Sequence, residues 1–126
     1  MLLAVPCDPI NPRRPDDHFA DEFDAARTLG IAVALIDHDA LERGRPDDAT
    51  SRVPATDDVV YRGWMVQTGD YEALAAATAR RSASLRTTAS NYRQAHEFPG
   101  WYPAAINATP ESYWTTGPSI DDFRDN

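Results

Sequence analysis

Lysine is absent from this chain, and each of its 12 basic side chains is an arginine. Aspartate and glutamate together number 20, so the formal net charge is -8 at pH 7. A partner with an anionic backbone or surface is bound chiefly through an excess of cationic side chains. The composition therefore argues against nucleic acid or an anionic membrane as the main partner.

Cysteine and long apolar runs are scarce as well. Cys7 is the one cysteine, which excludes an intrachain disulfide and argues against a structural zinc site. The apolar run at residues 2–5 ends at Pro6 and follows no basic segment, so it is too short for a secretory signal or a membrane span. We expect a cytoplasmic protein.

A glycine-rich phosphate loop is missing after this first apolar run. Pro6-Cys7-Asp8-Pro9 stands there instead, and proline has no N–H group to donate to a phosphate. We therefore expect no dinucleotide cofactor.

The remaining pattern alternates strands and helices. A chain of 126 residues with 42% hydrophobic content is large enough for one core and is expected to form one domain. Short apolar runs predict strands at residues 2–5, 31–36 and 59–61, with a weak fourth strand near Leu85. The second run is apolar on both faces, which is typical of parallel sheets covered by helices. The sequence predicts an α/β fold, a Rossmann-like single domain with a small, mostly parallel sheet flanked by helices.

Helices are predicted from spacing and capping signals. Asp16 or Asp17 can cap a first helix that Gly30 ends, and Thr68 can cap a later one. Their inner faces are predicted at Phe19, Phe23, Ala26 and Leu29 in the first helix, and at Tyr71, Leu74, Ala75, Thr78 and Ala79 in the later one. Shorter helices are expected at residues 37–41 and 89–96. Residues 44–56 are predicted to be a mobile loop or loose hairpin, and residues 98–106 an irregular aromatic segment.

The corner Arg62-Gly63-Trp64 directly follows the third predicted strand. It places a guanidinium and a large aromatic ring at the carboxyl end of a strand, the edge where open α/β sheets bind ligands. Tyr92 and His96 are four residues apart on a predicted helix and are candidates for the same edge. We predict that Arg62, Trp64, Tyr92 and His96 contact a substrate or a neighbouring domain, and a surface ion pair with core aromatics is the equally weighted alternative.

Catalytic and metal-binding candidates are few. Cys7 could act as a nucleophile if one of the three histidines lay close to it, but an inert buried cysteine is commoner. His18, His38 and His96, with Asp37 or Asp39, could supply metal ligands. However, no two of these histidines have the spacing of a metal-binding helix. We therefore predict no catalytic residue, no metal ligand and no cofactor for this chain.

A string of spaced motifs resembles a known family. Tyr61-Arg62-Gly63-Trp64-Met65, a helix with Tyr71 and Leu74, then Tyr92, His96, Pro99, Tyr102 and Thr109-Pro110-Glu111-Ser112 look like the front part of bacterial and phage ATP-grasp proteins. The resemblance covers roughly residues 1 to 115. It implies a pre-ATP-grasp α/β domain at residues 1–108 and a tail at 109–126 that leads towards catalytic lobes absent from the chain.

This resemblance implies a function shared with other lobes. ATP-grasp enzymes activate a carboxylate as an acyl phosphate and pass it to an amine or a similar nucleophile. Their lobes need cationic side chains, usually lysine, for ATP and carboxylate or asparagine ligands for magnesium. A chain without lysine is expected to be inactive alone, with ATP and magnesium held by lobes in cis or in a separate chain. Arg62 is the residue we expect to contact substrate or those lobes.

Two other functions remain open. The aromatics Trp101, Tyr102, Tyr113 and Trp114 could form an exposed patch through which a stand-alone module docks on another protein. A small hydrolase using Cys7 is the third possibility, and alkylation of the thiol would then abolish its activity. Neither the substrate nor the oligomeric state follows from the sequence.

Overall fold

A four-stranded, all-parallel sheet forms the centre of the fold. The computed structural model describes residues 1–114. The strands are β1 (Leu2–Pro6), β2 (Ala32–Ile36), β3 (Thr56–Tyr61) and β4 (Ala83–Leu85). Their order across the sheet is β2-β1-β3-β4, and each neighbouring pair is parallel. The predicted α/β, Rossmann-like fold is confirmed.

The two faces of the sheet bury separate clusters. Successive side chains of a strand point to opposite faces, so Leu2 and Ala4 join one buried cluster while Val5 and Cys7 join the other. The larger cluster continues with Leu74. Helices on both faces explain why these strands are apolar throughout rather than alternating.

Helices connect the strands on both sides of the sheet. They are α1 (Ala20–Thr28), α2 (His38–Glu42), α3 (Pro46–Ala49), α4 (Thr68–Arg80), α5 (Ala89–His96) and α6 (Phe98–Ala105). The short helix α3 lies where the sequence predicted a loop, and α6 lies where it predicted an irregular segment, so both of those predictions were wrong. In each case a proline stands in the first turn, where the missing N–H group costs nothing.

The predicted helix caps and inner faces need correction. Neither α1 nor α4 has a side-chain cap; Thr68 is the first residue of α4, and the helix is preceded by Gln67. Leu29 follows α1 and is 76% exposed, because Gly30 adopts φ 74° and turns the chain away. In α4, Ala79 was predicted on the inner face but is exposed, and Ala77, which that prediction did not include, is buried.

The chain forms two compact units. The first, Met1–Tyr92, contains the whole sheet, and the second, Arg93–Asn126, contains α6. Part of the predicted tail lies outside the described residues. Within residues 1–114, the helices are all too short or too polar to cross a membrane.

Candidate functional site

A cavity of about 230 Å³ lies at the carboxyl ends of β1, β2 and β3. This is the edge of a parallel sheet at which ligands bind, beside the point where the strand order reverses. Among the described residues its lining consists of Pro6, Cys7, Pro9, Asp16, Asp37, His38, Asp39 and Trp64. The sheet topology thus brings together side chains that are up to 58 positions apart in the chain, from Pro6 to Trp64.

The corner after β3 forms one wall of this cavity. The Arg62 backbone N–H donates to the Ala4 carbonyl at 2.8 Å, which extends the β1–β3 pairing by one residue. Gly63 follows, and a Cβ there would lie 2.5 Å from the Tyr61 ring, so a larger residue would displace either the ring or the corner. Trp64 then turns to the cavity, where its ring makes edge contacts with Phe19 and His18 at centroid distances of 5.0 and 4.8 Å.

Arg62 is the first residue of the corner, and its side chain forms a two-pronged ion pair with Glu22 of α1. Its Nε and Nη2 donate to the two carboxylate oxygens at 2.9 and 3.0 Å, and hydrogen bonding to Glu22 raises the pKa of Arg62 further. The guanidinium carbon is 5.7 Å from the centre of the Phe19 ring. The Arg62 side chain is 55% exposed, so the guanidinium is accessible to solvent. An exposed ion pair of this kind adds little stability.

Asp8 holds the loop that follows β1. One carboxylate oxygen accepts from the backbone N–H groups of Ile10 and Asn11, both at 2.8 Å, and the other accepts from Arg14. The backbone hydrogen bond from Asn11, followed by the one from Arg14, lowers the pKa of Asp8. Asp8 therefore has a local structural role and fixes the loop that carries Pro9.

Cys7 is buried and lines the cavity. Burial raises the pKa of its thiol, with Asp37 acting in the same direction and Arg52 in the opposite one. Since the thiolate is the nucleophilic form, this environment disfavours nucleophilic catalysis by Cys7.

The segment after β2 supplies three consecutive lining residues, Asp37, His38 and Asp39. Asp37 caps α2 by accepting from the Ala40 N–H at 2.9 Å. His38 Nε2 lies 3.2 Å from a Glu42 carboxylate oxygen, while its Nδ1 is buried with no hydrogen-bond partner among the described residues. Within residues 1–114, no group of three or more His, Cys, Asp or Glu side chains is placed to hold a metal ion.

Tyr92 holds the loop that follows the Arg62-Gly63-Trp64 corner. It is 7% exposed, and its hydroxyl donates to the Val66 carbonyl at 2.8 Å and accepts from the Val66 N–H at 3.0 Å. Its ring stacks on Tyr71 with a centroid distance of 3.8 Å. Among the predicted contact residues, Trp64 therefore lines the cavity, Arg62 lies beside its wall, and Tyr92 holds the following loop. His96 ends α5 in the second unit.

The second unit has a groove of its own. It measures about 600 Å³ and, among the described residues, is lined by Tyr102, Ile106, Glu111, Ser112, Tyr113 and Trp114. Tyr113 and Trp114 are exposed, at 67% and 40%. Tyr102 is buried, and its hydroxyl accepts from the Ser112 N–H at 3.1 Å. The expectation that Tyr102 is exposed was therefore wrong.

Sequence reasoning missed most of the cavity's polar lining. Asp16 was interpreted as a helix cap. Asp37 and Asp39 were considered only as candidate metal ligands, and no metal site was predicted. Position is the signal that could have placed part of this lining. Cys7 and Asp37 each directly follow the last residue of a parallel strand, and the carboxyl ends of parallel strands meet at one edge of the sheet. Searches of family models, curated proteins and solved structures gave no significant match to this chain.

Proposed function

We propose that this chain is the front domain of an ATP-grasp-type carboxylate–amine ligase and works in the cytoplasm. It contributes a substrate-binding edge and a packing surface to catalytic lobes, in the same polypeptide or in a separate chain. Those lobes bind ATP and magnesium, and this domain by itself does not perform the ligation. The proposal takes up the motif resemblance of residues 1 to 115.

The observation that supports it best is the position of the Arg62-Gly63-Trp64 corner. It stands at the carboxyl edge of a parallel sheet and forms one wall of the cavity there. In folds of this kind the edge is where a ligand or an adjoining lobe completes the site. The corner is also the centre of the motifs that resemble the ATP-grasp family.

Arg62 has the chemistry for this role. Its guanidinium is always charged and offers paired donors that match a carboxylate or phosphate. Glu22 occupies those donors with the same geometry that a ligand carboxylate would use. An anionic substrate or an acidic side chain of a catalytic lobe can replace Glu22 with little net loss, because the present pair is exposed.

We expect Arg62→Ala to impair ligation with little effect on folding. The variant should lower the rate of ATP-dependent ligation by the assembled lobes about tenfold or more, while the urea midpoint of the isolated domain stays nearly unchanged. The measurement is ADP release by the lobes with wild-type or variant front domain. Arg80→Ala is the matched control, since Arg80 is 54% exposed and forms an ion pair at the far end of α4, where its Nε and Nη2 both donate to one carboxylate oxygen of Asp47. Equal losses in the two variants, or a large fall in stability with normal ligation, would contradict the proposal.

A second candidate function comes from the groove of the second unit. Tyr113 and Trp114 expose aromatic surface on its rim, and aromatics of this kind are enriched at protein interfaces. A stand-alone interaction module would use this groove rather than the sheet edge. The two functions therefore differ in which unit becomes protected when a partner binds.

A further inference from the structure

The two outer strands of the sheet differ in how their free sides are protected. β4 is one outer strand and β2 is the other. Proteins protect such sides with very short strands, irregular pairing or charged side chains. β4 has all three features, because it has 3 residues, its register against β3 shifts between Thr56 and Val59, and Arg86 directly follows it. Its free side is therefore poorly suited to pair with another strand.

β2 has none of these protections. It has 5 residues, Ala32–Ile36, in unbroken register with β1. Residues 29–36 include neither a charged residue nor a proline, and Leu29 is 76% exposed just before the strand. An apolar outer strand without charge, proline or irregularity is a template for pairing with a further strand.

Backbone hydrogen bonds show which groups of β2 point away from β1. The Cys7 N–H donates to the Ile36 carbonyl at 2.9 Å, so Ile36 faces β1. The Asp37 N–H instead donates to the Ala49 carbonyl at 3.1 Å, so Asp37 faces outward. This direction alternates from residue to residue in a parallel pair. The N–H and carbonyl groups of Val33, four residues before Asp37, therefore also point outward.

A second copy of this chain supplies what the free side of β2 needs. All four strands of residues 1–114 already belong to the sheet, so none of them is left to cover β2. Two β2 strands related by a two-fold axis are self-complementary. Each Val33 N–H then meets the Val33 carbonyl of the other copy, and backbone hydrogen bonds of this kind add strands to a sheet.

Charge favours an antiparallel contact. Each chain has a formal net charge of -8, but residues 29–36 are uncharged, so two copies can approach there without placing like charges in contact. Arg27 lies in the last turn of the helix before β2, and Asp37 and Asp39 lie at the start of the helix after it. An antiparallel arrangement brings the basic end of one copy towards the acidic end of the other, whereas a parallel one brings acid towards acid.

We propose that this chain forms a two-fold dimer in which the β2 strands of two copies pair antiparallel and join the two four-stranded sheets into one. The contact uses the free side of β2 and leaves the carboxyl ends of the strands open. It is therefore independent of the proposed function, which uses those ends.

Sedimentation velocity of the isolated chain between about 0.01 and 1 mM is the first test. We expect a monomer–dimer equilibrium with a dissociation constant of about 0.1 mM or tighter. Ala32→Lys should weaken the dimer by about tenfold or more, because it places a charge on the paired strand of each copy. Ser84→Lys is the matched control, since Ser84 is likewise exposed on an outer strand, in the middle of β4, and should leave the dimer unchanged. Circular dichroism checks that both variants fold.

Hydrogen exchange locates the contact. The Val33 N–H should exchange about threefold or more slowly at 1 mM than at 0.01 mM, because the dimer protects it. The Leu85 N–H is the control. It faces outward from β4, since the Arg86 N–H donates to the Val59 carbonyl of β3 and the direction alternates, and its exchange should not change with concentration.

Three results would overturn this inference. The first is a monomer throughout the concentration range. The second is equal weakening of the dimer by the two lysine variants. The third is slower exchange at Leu85 together with Val33, which would mean that β2 of one copy pairs with β4 of the next in an open chain of molecules.

Discussion

Leu74→Ala is expected to lower the free energy of unfolding by about 3 kcal/mol, because it leaves a cavity that the surrounding core cannot fill. Leu74 is 0% exposed on the inner face of α4 and belongs to the larger core cluster, together with Val59 of the sheet. Urea unfolding followed by circular dichroism measures the loss.

Leu29→Ala is the control for this substitution. The side-chain change is the same, but Leu29 is 76% exposed, so we expect a change within about 0.5 kcal/mol. Similar losses at the two positions would mean that α4 does not cover the sheet through Leu74.

Tyr92→Phe is expected to lower the free energy of unfolding by about 1–3 kcal/mol and to loosen the loop that follows the Arg62-Gly63-Trp64 corner. The substitution keeps the ring stacked on Tyr71 but removes the hydroxyl that pairs with both the N–H and the carbonyl of Val66. These backbone groups are buried with Val66, which is 7% exposed. Urea unfolding measures the loss of stability. In a separate hydrogen-exchange measurement, amide exchange should accelerate more at Val66 than in β1.

The same change at Tyr113 is the control for Tyr92→Phe. The Tyr113 hydroxyl bonds to Glu111 on the surface, and the residue is 67% exposed, so its loss should leave stability and Val66 exchange unchanged. If Tyr92→Phe also left Val66 exchange unchanged, the hydroxyl would not hold the loop. Trp64 would then be positioned by other contacts, which include the rings of Phe19 and His18 and the Tyr61 hydroxyl.

Strands were predictable here because a buried parallel strand has a strong signal. Ile36 and its neighbours in β2 are apolar in succession, and few other structures produce such a run between a helix and a polar turn. The short helices α3 and α6 were missed because residues 44–56 were predicted to be a loop from their polar, proline-containing composition and residues 98–106 were predicted to be irregular. Pro46 is the first residue of α3 and Pro99 is the second residue of α6, and proline is tolerated in the first turn of a helix because of its position there.

The site was only partly predictable. Arg62 and Trp64 were found from their place after β3, but the cavity also needs Asp16 and Asp37, which approach it only once the sheet order is fixed. Strand order does not follow from local pattern. The role of Tyr92 also depends on tertiary structure, because its partner Val66 is 26 positions away.

Hydrogen exchange of this chain, with and without ATP-grasp lobes from the same polypeptide or an accompanying chain, tests the central claim most directly. We expect binding of the lobes to slow amide exchange at the sheet edge, in residues 7–8, 37–39 and 62–66. Protection confined to residues 101–114, with the sheet edge unchanged, would contradict the account and favour docking through the groove of the second unit.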